Sequence, residues 1–232
     1  MNTTIGENLT NVRKKIATAA GRAGRRPEEI RLVAVSKRMS WETVREAASC
    51  GQVLFGENYV QEAVAKMALL PPLPQPIAWH FIGHLQSNKA RLAADHFQVI
   101  ETVDRLKLAK ALDSYLAERG RQLTILIQVN TDRETKTSGV LPEACEELLR
   151  QVSTCPQLKV AGLMTMPPYA EDPEENRANF RLLKQLAYDF AARGLLPSRP
   201  ELSMGMSGDF EVAIEEGATL VRVGTAIFGS RA

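Results

Sequence analysis

The chain has 232 residues, of which 44% are hydrophobic and 24% are charged, an ordinary composition for a folded protein with a sizeable core. Its net charge of +2 provides no strong field to recruit nucleic acid or an acidic membrane surface. Three cysteines without a C-x-x-C pair, and no apolar run of signal-peptide or membrane-spanning length, predict a cytoplasmic protein.

The first predicted element is an amphipathic helix. Apolar residues recur at helical spacing from Ile5 to Ala20, and Thr4 with Glu7 can form a capping box at its start. Several lysines and arginines follow along the same segment. They fit either a phosphate-binding patch or an ordinary solvated helix face, and solvated faces carry such charges routinely.

Eight short apolar runs then alternate with helical patterns, which predicts βαβ units and a parallel sheet. The predicted strands lie near Arg31–Ser36, Gln52–Phe55, Ala78–Ile82, Gln98–Glu101, Leu123–Val129, Leu158–Met164, Glu201–Met204 and Leu220–Val223. The helical patterns between them are Trp41–Ser49, Tyr59–Leu69, Ser87–Ala94, Arg105–Arg119, Pro142–Ser153, Pro173–Arg193 and Gly208–Glu216. The fifth run, LTILIQV, is apolar almost throughout, as strands covered on both faces are.

The number of strands favours a closed barrel over an open doubly wound sheet. The segment GTAIFG after the last strand leaves room for a turn or two of an eighth helix, so the N-terminal helix is expected to cover that part of the wall. No shift in composition divides the chain. We therefore expect one α/β domain over residues 1–232, a (β/α)₈ TIM barrel with an extra N-terminal helix.

Lys37 is the first candidate functional residue. It directly follows the first predicted strand, and (β/α)₈ barrels hold their working groups at the carboxyl ends of the strands. The apolar strand behind it would partly desolvate the amine, which makes it a candidate Schiff-base nucleophile. Its position alone also fits a surface lysine at the start of a loop.

The exits of the second and third strands carry polar side chains. Asn58 in the GEN motif can hydrogen-bond a ligand or simply cap the next helix. His84 and His80 suggest a metal pair, but spacing of four residues brings ligands together on a helix and not across a strand end. We expect His84 to line a site and expect no metal.

The exits of the last two strands predict an anion site. Gly205–Asp209 and Gly224–Ala226 each combine small residues, backbone N–H groups and a hydroxyl at a predicted helix start. Barrels of this class frequently bind phosphate at these two loops. Two tight turns capped by Ser207 and Thr225 are the alternative. A phosphate here, with Lys37 across the barrel mouth, suits a phosphorylated aldehyde.

Arg222 lies two residues before Gly224 in the last predicted strand. If its side chain points into the mouth, it would face a ring nitrogen of such a ligand. A guanidinium cannot accept a proton, so it would keep a pyridine nitrogen unprotonated and weaken the ring as an electron sink.

Five sequence blocks indicate a family: LVAVSK, FGENYVQE, WHFIGHLQSNK, GLMTMPP and LSMGMSGDFEVAIEEGATLVRVGTAIFG run in this order across nearly the whole chain. The chain closely resembles the pyridoxal 5′-phosphate (PLP) homeostasis proteins, relatives of the barrel domain of alanine racemase. The resemblance implies a fold-type III PLP barrel with the cofactor bound to Lys37 as a Schiff base. It also implies buffering or delivery of PLP in the cell, without an established reaction.

The resemblance implies roles for individual residues but no catalytic residue. The implied cofactor-binding residues are Lys37, Asn58, His84, Met204, Ser207, Arg222, Gly224 and Thr225, with Met164 as a further wall. One position departs from the family pattern. The family has a lysine two residues before the glycine that follows the fifth strand, where this chain has Thr137, with Lys136 displaced by one.

Three other functions remain as alternatives. An amino-acid racemase needs a second proton-transfer group, which the racemases take from another domain of a partner subunit, and no such domain is expected here. A class I aldolase also uses a Schiff-base lysine but carries no chromophore. A protein-interaction module could use Met166–Tyr169 or the proline-rich loop. We expect a monomer whose partners are PLP and PLP-dependent apoenzymes, with neither nucleic acid nor membrane.

Overall fold

A computed structural model describes residues 4–73 and 75–229, and in this part of the chain strands alternate with helices. The strands are β1 (Arg31–Val35), β2 (Leu54–Glu57), β3 (Ala78–Phe81), β4 (Val99–Val103), β5 (Leu123–Gln128), β6 (Leu158–Met164), β7 (Glu201–Ser203) and β8 (Leu220–Val223). The helices are α1 (Ile5–Arg22), α2 (Trp41–Ser49), α3 (Val60–Leu69), α4 (Ala90–His96), α5 (Leu106–Ala117), α6 (Pro142–Val152), α7 (Arg177–Ala192), α8 (Phe210–Glu215) and α9 (Thr225–Phe228). None of these helices is both long and apolar enough to cross a membrane.

The strands form a closed barrel in chain order. Each strand is parallel to its neighbours, and β8 returns to pair with β1 over four residues of each strand. The (β/α)₈ TIM barrel predicted from the alternating pattern is confirmed, and every strand's carboxyl end faces the same mouth.

Side chains along each strand point alternately into the barrel and toward the surrounding helices, which divides the core into two layers. Val33, Leu126, Met164 and Leu220 pack together inside the barrel, whereas Ala34, next to Val33, belongs to the larger core between strands and helices. Successive side chains of a strand point to opposite faces, so inward positions recur at every second residue. This period decides which residues can reach the barrel mouth.

Helix α1 covers the wall beside the short last helix, as expected. Thr4 and Glu7 form the predicted capping box, and the helix packs against α8 and α9. The side-chain amide of Asn8 donates to the carbonyl of Ile227 in α9 over 2.9 Å. Because α9 has four residues, α1 supplies the apolar cover that a full eighth helix would otherwise give.

Strand β2 lies two residues further along the chain than predicted. The side-chain amide of Gln52 donates to the carbonyls of Leu32 and Leu54, each over 2.7 Å, and thereby ties the start of β2 to β1. The pairing with β3 then runs on to Glu57. A glutamine that bonds backbone groups from outside the strand is indistinguishable in sequence from a strand residue.

Candidate functional site

A cavity of about 320 Å³ opens at the carboxyl ends of the strands. Six of the eight predicted cofactor-binding residues line it: Lys37, Asn58, Ser207, Arg222, Gly224 and Thr225. The other described lining residues are Val35, Ile82, Met166, Tyr169, Met206 and Gly208. A mostly apolar cavity with a few convergent polar groups is typical of a small-molecule site.

The two methionines predicted as cavity walls lie elsewhere. Met204 is fully buried in the outer core, because Ser203 is the inward residue at the end of β7 and its neighbour must point outward. Met164 points inward but is buried in the inner cluster. Met206 and Met166, each two residues further along, line the cavity instead. Neither Met204 nor Met164 is among the described residues that line the cavity.

His84 lines a separate cavity of about 250 Å³, which shares Asn58 with the first. It is solvent-exposed and lies beyond the rim of the main cavity. The described residues contain no cluster of three histidine, cysteine or carboxylate side chains that could hold a metal ion. Thr137, at the family's lysine position, donates from its hydroxyl to Asp132 over 3.0 Å, and neither it nor Lys136 is among the described cavity residues.

The backbone around Lys37 is fixed on both sides. Lys37 lies in a turn directly after β1, and Arg38 has a φ of 61°, a left-handed conformation that is uncommon for a side chain of this kind. The Arg38 N–H donates to Glu62 of α3 through a short hydrogen bond. On the other side, the hydroxyl of Ser36 donates to Glu57 Oε1 over 2.7 Å.

Lys66 connects these contacts. Its Nζ donates to the Ser36 carbonyl over 2.7 Å, to Glu57 Oε1 over 2.6 Å and to Glu62 Oε1 over 3.3 Å. The side chain of Lys66 is 5% exposed and that of Glu57 is fully buried. Burial raises the pKa of Glu57, and the charge and hydrogen bond of Lys66 oppose that rise. The pKa of Glu57 stays above its ordinary value, and Lys66 offsets part of the cost of burying this carboxyl behind the Lys37 loop.

Two loops on the opposite side of the mouth are held together through Ser207. Its Oγ accepts the N–H of Gly224 over 3.2 Å and that of Ala226 over 3.4 Å. Asp209 shapes the first loop by accepting the N–H of Met206 and the side-chain amide of Asn176, over 2.6 and 2.9 Å. Hydroxyl-bearing residues and glycines from both loops thus line one cavity: Ser207, Gly208, Gly224 and Thr225. Small residues and hydroxyls at the starts of helices are typical of phosphate sites.

Arg222 enters the cavity from the barrel interior as part of a buried polar chain. Its Nη1 donates to Ser203 Oγ over 2.6 Å, and its Nη2 donates to the carbonyl of Thr165 over 2.7 Å. Ser203 in turn donates to Glu101 Oε2 over 2.5 Å, and Glu101 Oε1 bonds His80 Nδ1 over 2.6 Å. These contacts fix the direction of the guanidinium.

The charges in this chain depend on one another. Burial alone would raise the pKa of Glu101, but the hydrogen bond and charge of His80, with the charge of Arg222, outweigh it and hold the pKa below its ordinary value. Burial lowers the pKa of Arg222, and the charges of Glu101 and Asp209 oppose that change. An arginine does not lose its proton in proteins, so a permanent cation faces the cavity from below.

Asn58 presents an unused acceptor beside the cavity. Its Oδ1 is buried and has no hydrogen-bond partner among the described residues, which costs free energy unless a ligand supplies a donor. Gly83 lets the neighbouring loop approach, since a Cβ at that position would lie 2.2 Å from the carbonyl oxygen of Asn58. The WHFIGH motif thus holds Asn58 in place through backbone packing rather than through its histidines.

A family model described as the N-terminal domain of alanine racemase matches residues 8–232. The chain is 45% identical to the pyridoxal phosphate homeostasis protein of Escherichia coli K12, over 98% of this chain and 97% of that protein. It is also 45% identical to the protein of the same name from Pseudomonas aeruginosa, over 98% and 96% of the two chains. The chain belongs to the pyridoxal phosphate homeostasis protein family.

Two solved structures are similar to this chain in fold. PipY of Synechococcus elongatus, solved with PLP bound, is 38% identical over 97% of this chain and all of that one, with a TM-score of 0.85. Alanine racemase from Corynebacterium glutamicum is 19% identical, with a TM-score of 0.72. The match covers 98% of this chain and 61% of the racemase, a similarity in fold alone.

Besides Met206 and Met166, the residues that sequence reasoning missed are those that support others. Glu101 carried a usable signal, a carboxylate inside the apolar strand VIETV, because such a residue is rarely buried without a partner. Lys66 carried no comparable signal, since lysines are frequent on exposed helix faces. Its burial follows from where α3 packs against the Lys37 loop, which is a tertiary contact.

Proposed function

We propose that this chain binds PLP covalently through Lys37 and acts in intracellular PLP homeostasis by buffering or delivering the cofactor. The observation that carries the proposal is geometric: Lys37 from the first strand and the polar groups of the last two loops line the same cavity. The names of the relatives and the PLP-bound PipY structure support it.

The composition of the cavity fits PLP. Its described lining includes the two cations Lys37 and Arg222 and no carboxylate, which suits a dianionic phosphate ester. The buried Oδ1 of Asn58 offers an acceptor for a polar group of the ring. A volume of about 320 Å³ lies at the lower end of the range for small-ligand sites.

Each residue then has a stated task. Ser207, Gly224 and Thr225 would hold the phosphate, and Arg222 would face the ring nitrogen. Bound PLP supplies an aldehyde and a conjugated ring that absorbs visible light. The neutral amine of Lys37 forms a carbon–nitrogen double bond with the aldehyde carbon, and the aldehyde oxygen leaves as water with the two amine hydrogens.

We propose no catalytic reaction for this site. A permanent cation at Arg222 disfavours protonation of the ring nitrogen, which is the form that draws electrons most strongly from a substrate carbon. Racemisation also needs a proton-transfer group on each face of the substrate carbon, and Lys37 can serve only one. Pure protein incubated with L-alanine is therefore expected to form D-alanine at a negligible rate. Turnover on the order of 1 per second or more, measured by chiral chromatography, would establish the racemase alternative instead.

The phosphate assignment predicts a loss of retention without a loss of fold. The double variant S207A/T225V removes two hydroxyl donors, and its dissociation constant for PLP is expected to rise roughly 100- to 10,000-fold, since hydrogen bonds to charged groups contribute about 1.5–3 kcal/mol each and about 1.4 kcal/mol corresponds to tenfold in affinity. Equilibrium titration followed by visible absorption measures the change. The matched control S153A/T154V, on the exposed end of α6, is expected to bind as wild type does. Undiminished retention in S207A/T225V removes the phosphate assignment.

The remaining expectations belong to the same proposal. We propose that residues 1–232 form one domain that acts as a cytoplasmic monomer and passes PLP to dependent apoenzymes. Closure of the barrel between β1 and β8 and the single large core cluster support one domain. Light scattering during gel filtration measures the oligomeric state directly.

A further inference from the structure

Glu57, Glu62 and Lys66 form a charged cluster behind the Lys37 loop, and no residue of this cluster is among the described cavity residues. The cluster bonds both neighbours of Lys37. Ser36 is held through its carbonyl and its hydroxyl, and Arg38 is held through its backbone N–H.

Burying the charged groups of this cluster costs free energy, which argues against an incidental role. Within the described part of the chain, Glu57 Oε2 is buried and has no hydrogen-bond partner, and the amine of Lys66 is buried beside it. Replacing buried ion pairs by apolar residues often leaves stability unchanged or improves it, so stability alone does not explain them. What the cluster does accomplish is to fix the backbone on each side of one residue, Lys37.

We propose that the charged cluster positions Lys37 for covalent capture of PLP. By fixing Ser36 and Arg38, it directs the Lys37 amine to the place where the aldehyde carbon lies, so that the carbon–nitrogen bond forms and water leaves. The inference rests on the proposed function. The cluster sets the rate and equilibrium of covalent capture, while the binding of ring and phosphate depends on the opposite loops.

Because covalent capture and the binding of ring and phosphate depend on different residues, the proposal predicts a result that a purely structural role would not give. A PLP analogue with a methyl group in place of the aldehyde reports the binding of ring and phosphate without capture. Loosening the cluster should weaken binding of PLP and spare binding of the analogue. A collapsed pocket or an unstable fold would weaken both.

Glu62→Ala is the principal variant, because Glu62 is partly exposed and its loss leaves the Lys66–Glu57 pair intact. Covalent capture, followed by visible absorption after mixing, is expected to slow or weaken roughly 10- to 100-fold, the scale on which misplacement of a reacting group acts. Affinity for the methyl analogue should stay within about twofold of wild type. Lys66→Met, if it folds, should show the same split.

Two controls isolate the effect. Glu62→Gln keeps an oxygen that can accept the Arg38 N–H and is expected to restore capture, whereas Glu46→Ala, on the exposed face of α2, should behave as wild type. In a Lys37→Ala background, Glu62→Ala should leave PLP affinity unchanged, because effects that act through one residue are not additive.

Three outcomes would overturn the inference. Unchanged capture in Glu62→Ala would show that Lys37 is positioned by other contacts. Equal losses for PLP and the methyl analogue would assign the cluster a structural role. Failure of wild-type protein to form an adduct on Lys37 would contradict the proposed function itself. This outcome differs from the other two because it is seen in wild-type protein, without any substitution.

Discussion

The Lys37→Ala variant is expected to lose all covalently bound PLP. Wild-type protein mixed with PLP should be yellow, and borohydride should reduce the carbon–nitrogen double bond and leave the mass of the cofactor on the peptide that contains Lys37. In the variant the phosphate and ring contacts remain, so PLP binds weakly and exchanges freely. Visible absorption and peptide mass spectrometry after borohydride measure both effects.

Lys89→Ala is the matched control for this experiment. Lys89 lines the neighbouring cavity, which also contains His84 and shares Asn58 with the main cavity. Its replacement should leave colour and adduct mass unchanged. An adduct on any other lysine in wild-type protein, or a full adduct in Lys37→Ala, would contradict the assignment. Protein that stays colourless with excess PLP would favour the aldolase alternative.

The barrel could be predicted from the sequence because the hydrophobic patterns of its strands and of its helices each lie within short stretches of the chain. Runs such as LTILIQV carry the strand signal within a few residues, and the helical patterns between them are equally compact. The site followed from the barrel, since Lys37, Asn58, Ser207 and Thr225 all lie just beyond strand ends. Closure of β8 onto β1 then brings the first and last of these residues to one mouth.

Prediction failed where the outcome depended on the direction or the packing of a side chain. Met204 and Met206 are both apolar residues at the exit of β7, and only the inward direction of Ser203 decides that Met206 reaches the cavity. The role of Lys66 depends on a helix packing onto a loop almost thirty positions earlier in the chain. Such contacts leave no periodic trace in the sequence.

Glu101→Gln is expected to be among the most destabilising single substitutions in the barrel interior. It removes the carboxylate that Arg222 faces through Ser203, and leaves a buried guanidinium without that compensating charge. Removing one partner of a buried charge pair typically costs about 3–5 kcal/mol of unfolding free energy. The shift of the denaturant midpoint measures the loss, and Glu118→Gln on the surface should change it by no more than about 0.5 kcal/mol.

The double variant Glu101→Gln/Arg222→Met separates charge from packing. Removing both charges is expected to recover most of the lost stability, because an apolar side chain needs no counter-charge, while the cation that lines the cavity is lost. Equal destabilisation of the double variant and Glu101→Gln would show that shape rather than charge compensation is what Glu101 supplies. The comparison therefore tests whether the barrel interior carries the Glu101 carboxylate chiefly to compensate the charge of Arg222.

The difference between wild type and Glu101→Gln should also depend on pH. The folded-state pKa of Glu101 lies below its ordinary value, so the ionised carboxylate stabilises the fold at neutral pH. As the pH falls below the ordinary carboxyl range and through the folded-state pKa, wild type must protonate Glu101 and loses that stabilisation, whereas glutamine has no proton to bind. The gap in unfolding free energy should therefore narrow in acid. A gap that stays constant would mean that the charge of Glu101 contributes nothing to the stability of the barrel.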